Sequence, residues 1–118
     1  MMNQETDAFL DALADLEGAL DQSLQMTGQM KNRIGEIRES VNAGQPLRAV
    51  VPREQRPLLV QLLTENANVL QSYGARVRRT EARALHREGV TMDEIAQLFG
   101  VSRQRVSALL REPPSQGE

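Results

Sequence analysis

A cluster of side chains near the C-terminal end of the chain has the chemistry that nucleic-acid binding requires. Arginine pairs with two acceptors of guanine and glutamine pairs with adenine, so Arg103 and Gln104 are suited to base edges. Arg105 and Arg111 are suited to phosphate oxygens, which receive many of the hydrogen bonds in protein–DNA complexes. Ser107 follows one helical turn after Gln104. The candidate contact residues in this stretch are Ser102, Arg103, Gln104, Arg105, Ser107 and Arg111.

The surrounding sequence predicts two short helices and a tight turn that would position these side chains. Gly89 predicts the end of the preceding helix, and Thr91 with Glu94 forms the pattern of a capping box at the next helix start. Gly100 suits the positive φ of a turn after a helix, and Ser102 suits the N-cap of the second helix. The second helix is expected over about 103–111, with these side chains facing inward: Val106, Leu109 and Leu110.

From Ile95 to Val106 the chain reads I-A-Q-L-F-G-V-S-R-Q-R-V. This stretch resembles the helix-turn-helix superfamily, most closely region 4 of bacterial sigma factors and the small actinobacterial-type regulators that share it. The resemblance covers about a third of the chain, roughly Ala75 to Glu112. It implies a DNA-binding domain of a bacterial transcriptional regulator. No other sigma-factor region is visible, so a complete sigma factor is not expected.

Charge is segregated along the chain. Residues 1–30 carry six acidic residues and no Lys or Arg, whereas residues 75–112 carry eight arginines and five acidic residues. A nucleic-acid surface needs local positive potential, not a basic chain as a whole. Arg76 and Arg79 are therefore further candidates for contacts with the DNA backbone. Ion pairs with Glu81 or Glu88 are the alternative for such arginines, on a helix face of mixed charge.

Residues 6–41 show a repeat of apolar residues at steps of four and three, typical of a coiled-coil seam. Two interpretations remain open at this point. One long helix could cover its seam with a second copy, giving a homodimer, or the segment could fold into a hairpin near Thr27 and Gly28. The seam consists of Phe9, Leu13, Leu16, Leu20, Met30, Ile34, Ile37 and Val41.

The chain is therefore expected to be all-α, with a long coiled-coil-like N-terminal helix, a middle helix and a C-terminal helix-turn-helix. Gly44 and Pro46 end the first segment, and Pro57 suits the first turn of the middle helix. Gly74 marks a break or a weak point before the last domain. The expected boundaries are 5–42 for the acidic dimerisation segment, 43–56 for a connector, 57–74 for the middle helix, 75–112 for the helix-turn-helix domain and 113–118 for a disordered tail.

Several classes of function are not expected from the composition. The chain has no cysteine, a single histidine at His86, no glycine-rich phosphate loop and no paired carboxylates in a recognisable frame. Enzymatic activity, a metal site and a cofactor are therefore not expected. No run of about 18 apolar residues could span a membrane. The absence of cysteine fits a cytoplasmic location.

Sequence-specific binding of double-stranded DNA by a dimeric helix-turn-helix regulator is the predicted function. Joining two small DNA-binding domains makes the second contact effectively intramolecular, so a homodimer on inverted half-sites is expected. The alternative is an interaction module with a region 4-like fold. Such a module would bind RNA polymerase or a sigma factor, and its acidic helix would dock on a basic partner.

Overall fold

The computed structural model describes residues 3–112 and confirms the all-α prediction. Helices account for 84% of these residues, and none of them lies in a strand. The predicted disordered tail, 113–118, lies outside the described residues. Within the described part, no helix has the length and apolar character needed to cross a membrane. The elements are α1 (Gln4–Asn42), α2 (Leu47–Val50), a 3-10 turn (Val51–Arg53), α3 (Leu59–Arg87), α4 (Met92–Phe99) and α5 (Arg103–Arg111).

Helix α1 is continuous over 39 residues, so the alternative of a hairpin near Thr27 and Gly28 is wrong. Glycine weakens a helix interior but does not remove a backbone hydrogen bond as proline does, and α1 contains no proline. The Thr27 hydroxyl donates to the carbonyl of Ser23, one turn earlier, at 2.9 Å. Thr27 therefore bonds within the helix and does not end it.

The buried side of α1 differs from the predicted seam. Leu13, Leu20, Ile34 and Val41 are exposed, although the sequence pattern placed them in the seam. Small residues occupy several of the buried positions because they permit close packing, and a search for large apolar residues overlooks them. The buried residues of α1 are Ala12, Ala19, Ser23, Met26, Met30 and Arg33.

The described chain divides into two compact units, one of residues 18–71 and one of residues 3–17 with 72–112. In the unit of residues 18–71, Met26 and Met30 of α1 pack with Leu62 and Leu59 of α3. Apolar burial of these side chains holds the two helix segments together in this unit.

Arg33 stabilises the connection before α3. Its Nη1 atom donates to Glu54 Oε1 at 3.2 Å and to the carbonyls of Gln55 and Pro57 at 2.8 and 3.0 Å. Both charged side chains are buried. Glu54 Oε1 also accepts from the backbone N–H of Leu59, the first residue of α3, at 2.9 Å. The Arg33–Glu54 pair therefore compensates both buried charges, and it also provides a hydrogen-bond acceptor for a backbone N–H at the N-terminus of α3.

Helix α3 runs without interruption past Gly74, so the predicted middle helix and the first helix of the C-terminal domain are one element of 29 residues. It begins two residues after Pro57. The predicted connector, 43–56, contains α2 and the 3-10 turn. A single glycine costs a helix interior about 1 kcal/mol, which is too little to end a long helix.

Candidate nucleic-acid interface

Helix α4 begins with the capping box that the sequence predicts. Thr91 Oγ1 accepts from the backbone N–H of Glu94 at 3.2 Å, and Glu94 Oε1 accepts from the backbone N–H of Thr91 at 3.3 Å. The helix that precedes it ends at Arg87, and Gly89 follows with a φ of 98°. The start of α4 is therefore set by residues close together in the sequence.

The connection between α4 and α5 consists of three residues, as the sequence predicts. Gly100 takes the left-handed conformation, with φ 69° and ψ 34°, which disfavours any residue with a Cβ atom. The N–H of Val101 donates to the carbonyl of Ala96 at 3.0 Å and closes the end of α4. Ser102 Oγ then accepts from the N–H of Arg105 at 3.0 Å and caps α5.

A small apolar core holds α5 in place. Val106 and Leu109 of α5 are buried against Ile95 and Ala96 of α4, and Ala82 of α3 completes the cluster. The predicted inward orientation of Val106 and Leu109 is confirmed, and Leu110 packs at the edge of the cluster. The opposite side of α5 is consequently directed to solvent.

The solvent-facing side of α5 carries three polar side chains in one line. Gln104, Ser107 and Arg111 are spaced by three and four residues, which places them on one helix face. Gln104 and Arg111 are exposed and Ser107 is half-buried. Ala108 lies among them and adds little bulk. This face offers an amide, a hydroxyl and a guanidinium to a ligand.

Arg103 lies beside this face, at the start of α5. Its side chain is 64% exposed, and Nη1 lies 3.6 Å from Asp93 Oδ2. Glu94 supplies the carboxylate of the capping box, so Asp93 is left to pair with Arg103. The pair bridges the first turns of α4 and α5. The sequence analysis did not predict this contact.

Arg79 is not placed where a phosphate could reach it, contrary to the sequence-based expectation. Its side chain is 6% exposed, and Nη1 lies 3.7 Å from Glu112 Oε2. Burial lowers the pKa of Arg79, the charge of Arg83 acts in the same direction, and Glu112 opposes both. The other oxygen of Glu112 accepts from Arg105 Nη1 at 3.3 Å. Glu112 therefore links α3 to the exposed Arg105.

Arg76 also has a partner within the protein. Its Nη1 atom contacts Asp15 Oδ2 of α1, and the arginine side chain is mostly buried. Residue 15 belongs to the same compact unit as Arg76. The structure thus separates the eight predicted site residues: Ser102, Arg103, Gln104, Arg105, Ser107 and Arg111 lie together on or beside α5, whereas Arg76 and Arg79 are held by acidic residues.

A further exposed feature was not predicted. Leu98 at the end of α4 is 69% exposed and lines a cleft of about 360 Å³ with Phe99, Val101 and Arg105. Among the described residues, no group of three or more His, Cys, Asp or Glu side chains could hold a metal ion.

Comparison of the chain with models of protein families, with curated proteins and with solved structures gives no match.

Proposed function

We propose that the protein binds double-stranded DNA in a sequence-specific manner, and that α4 and α5 act as a helix-turn-helix with α5 as its recognition helix. The observation that carries this proposal is the line of polar residues Gln104, Ser107 and Arg111 on the solvent-facing side of a helix whose other side is fixed by a buried core. A recognition helix needs both properties, because its contacts with base edges depend on a rigid support.

In this proposal the N-terminal turn of α5 enters the major groove. Gln104 pairs with adenine, and Arg103 pairs with guanine after leaving Asp93. An exposed ion pair such as Arg103–Asp93 contributes about 0–1 kcal/mol, whereas a bidentate contact to a base contributes about 1–3 kcal/mol of discrimination. Release of Arg103 from Asp93 therefore costs little free energy, and the base contact supplies the discrimination.

Phosphate contacts orient the helix. Arg111 is exposed at the end of α5, and Arg105 is partly exposed beside Glu112. Ser102 lies at the N-terminus of α5, where free backbone N–H groups favour anions. Arg76 and Arg79 support the domain from within and do not contact DNA in this proposal. No catalytic step, metal or cofactor is involved.

The proposed regulator acts as a homodimer in the cytoplasm. One small domain makes few contacts with DNA. In a homodimer, binding of the first domain holds the second domain near its inverted half-site, so the second contact is effectively intramolecular. Half-sites about 10 base pairs apart, or a multiple of that distance, match one face of the duplex.

Selection of random duplexes by the purified protein tests this proposal. The expected result is an enriched palindromic motif, with affinity that falls steeply as salt concentration rises. Arg103→Ala should lower the preference for one base of the motif, and Arg48→Ala, an exposed arginine of α2, should leave it unchanged. Enrichment of no sequence, together with capture of purified RNA polymerase, would instead establish the alternative of an interaction module.

A further inference from the structure

Helix α1 carries a row of uncovered apolar residues within the unit of residues 18–71. Leu20, Leu24, Ile34 and Val41 are exposed, and Leu24 keeps 72% of its surface accessible. The row advances by steps of four and three, the spacing of a coiled-coil seam. We call the following set the outer row: Leu20, Leu24, Thr27, Lys31, Ile34, Arg38 and Val41.

The outer row is separate from the packed side of the same helix. Met26 and Met30 are buried against α3, whereas the residues of the outer row lie about a quarter of a turn away around α1. The apolar surface of α1 is therefore wider than its contacts within the chain require. Large exposed apolar rows on a helix mark interaction surfaces in soluble proteins.

Two glycines border the outer row. Gly28 and Gly35 each follow a member of the row, and they are one heptad apart. A Cβ atom added at either position would meet nothing within 4 Å. Glycine is unfavourable inside a helix, and no contact among residues 3–112 requires it here. Their lack of a side chain would let a neighbouring helix approach α1 closely.

We propose that the outer row is a homodimer interface in which α1 of a second copy packs antiparallel to α1 of the first. Leu24 of one copy would then lie opposite Ile34 of the other. The observation that favours a second copy as the occupant is charge complementarity between the two ends of the row.

Charge along the row decides the orientation. Lys31 and Arg38 are exposed members of the row, and Asp21 borders its beginning. A parallel pair would place each cation opposite the same cation of the second copy, and like charges directly opposite are unfavourable. The antiparallel pair brings Arg38 of one copy close to Asp21 of the other and separates the like charges. The row is thus complementary to itself only in the antiparallel arrangement.

This inference rests on the proposed function, in which two copies act together, but the experiments that test it contain no DNA. A chain that dimerises through α1 and binds no duplex would refute the proposed function alone. A monomer that binds duplexes would refute the inference and leave DNA recognition by α5 intact.

Sedimentation equilibrium of the full chain measures the dimer directly. We expect Leu24→Glu to raise the dissociation constant at least about tenfold, because a buried leucine is replaced by a charge. The matched control is Val60→Glu on α3, which is 64% exposed and lies two positions from the buried Leu62, nearly opposite it on the helix. The control should dimerise as the parent does. A monomeric parent chain, or equal weakening by both substitutions, would overturn the interface.

Disulfide trapping tests the orientation. The chain has no cysteine, so Leu24→Cys and Ile34→Cys each introduce the only thiol. A disulfide forms only when the two Cα atoms lie within about 7 Å. Oxidation of a mixture of the two variants should give a covalent dimer containing one of each, identified by mass. Covalent dimers of Leu24→Cys with itself would overturn the antiparallel arrangement.

Discussion

Glu112 Oε2 lies 3.7 Å from Nη1 of the buried Arg79, while Oε1 of the same carboxylate accepts from Arg105. One acidic residue at the end of α5 thus compensates a buried cation of α3 and holds an exposed arginine beside the proposed DNA surface. This arrangement indicates that Arg79 stabilises the fold and is too buried to contact a phosphate.

Replacing Arg79 with alanine should destabilise the fold. The substitution removes the ion pair with Glu112 and the packing of a nearly buried side chain, so a loss of about 1–3 kcal/mol is expected. Chemical denaturation at fixed protein concentration measures the change. Arg78→Ala, at an exposed neighbouring position of α3, should change the free energy of unfolding by less than about 0.5 kcal/mol. Equal effects of the two substitutions would contradict the structural role of Arg79.

The Arg103–Asp93 pair predicts opposite effects of two substitutions on DNA binding. Asp93→Ala should raise the affinity for the selected duplex, because Arg103 then has no ion pair to break before it contacts a base. Arg103→Ala should cost about 1–3 kcal/mol of discrimination at one base pair. Fluorescence anisotropy with the selected duplex and its single-base variants separates affinity from specificity. A uniform loss across all duplexes in Arg103→Ala would assign this arginine to the phosphate backbone instead.

Two glycines should respond in opposite directions to alanine. Gly100→Ala forces a Cβ atom into the left-handed conformation and should cost about 1–2 kcal/mol. Gly18→Ala, inside α1 with nothing within 4 Å of the added Cβ, should stabilise the helix by up to about 1 kcal/mol. Thermal unfolding at matched concentration compares the two. A stabilising Gly100→Ala would show that the turn after α4 does not need a positive φ.

Arg33 should be essential for the unit of residues 18–71. Arg33→Ala removes the donor for Glu54 and for two backbone carbonyls, so a loss of about 3 kcal/mol or more is expected. Arg48→Ala, on the exposed side of α2, provides the control and should change stability by less than about 0.5 kcal/mol. Denaturation followed by circular dichroism distinguishes the two variants. A mild effect at position 33 would mean that water replaces the guanidinium.

Local signals in the sequence predicted the region around α5 well. The capping box of Thr91 and Glu94, the left-handed Gly100 and the cap at Ser102 each depend on residues at most three positions apart. Such patterns can be recognised without a fold, because the bonds they form close within one helical turn. The length of α5 and its two buried anchors follow from the same short segment.

Contacts between distant residues could not be predicted in this way. Arg79 and Glu112 are separated by 33 positions, and the charge pattern alone offered Glu81 or Glu88 as partners. The buried side of α1 was misjudged for a related reason: Ala12 and Ala19 carry too little apolar surface to stand out in a periodicity. Tertiary packing decides which residues of a helix are buried, and it overrides the pattern that the local sequence suggests.

The unit that carries α5 combines two stretches of chain, 3–17 and 72–112, whereas the other unit is one contiguous stretch, 18–71. During synthesis, residues 3–17 leave the ribosome long before residues 72–112 do. The contiguous unit can therefore form while synthesis continues, and the unit that carries α5 is completed only when α4 and α5 have been synthesised. Nascent chains would thus acquire the proposed recognition surface only after the unit of residues 18–71 has been synthesised.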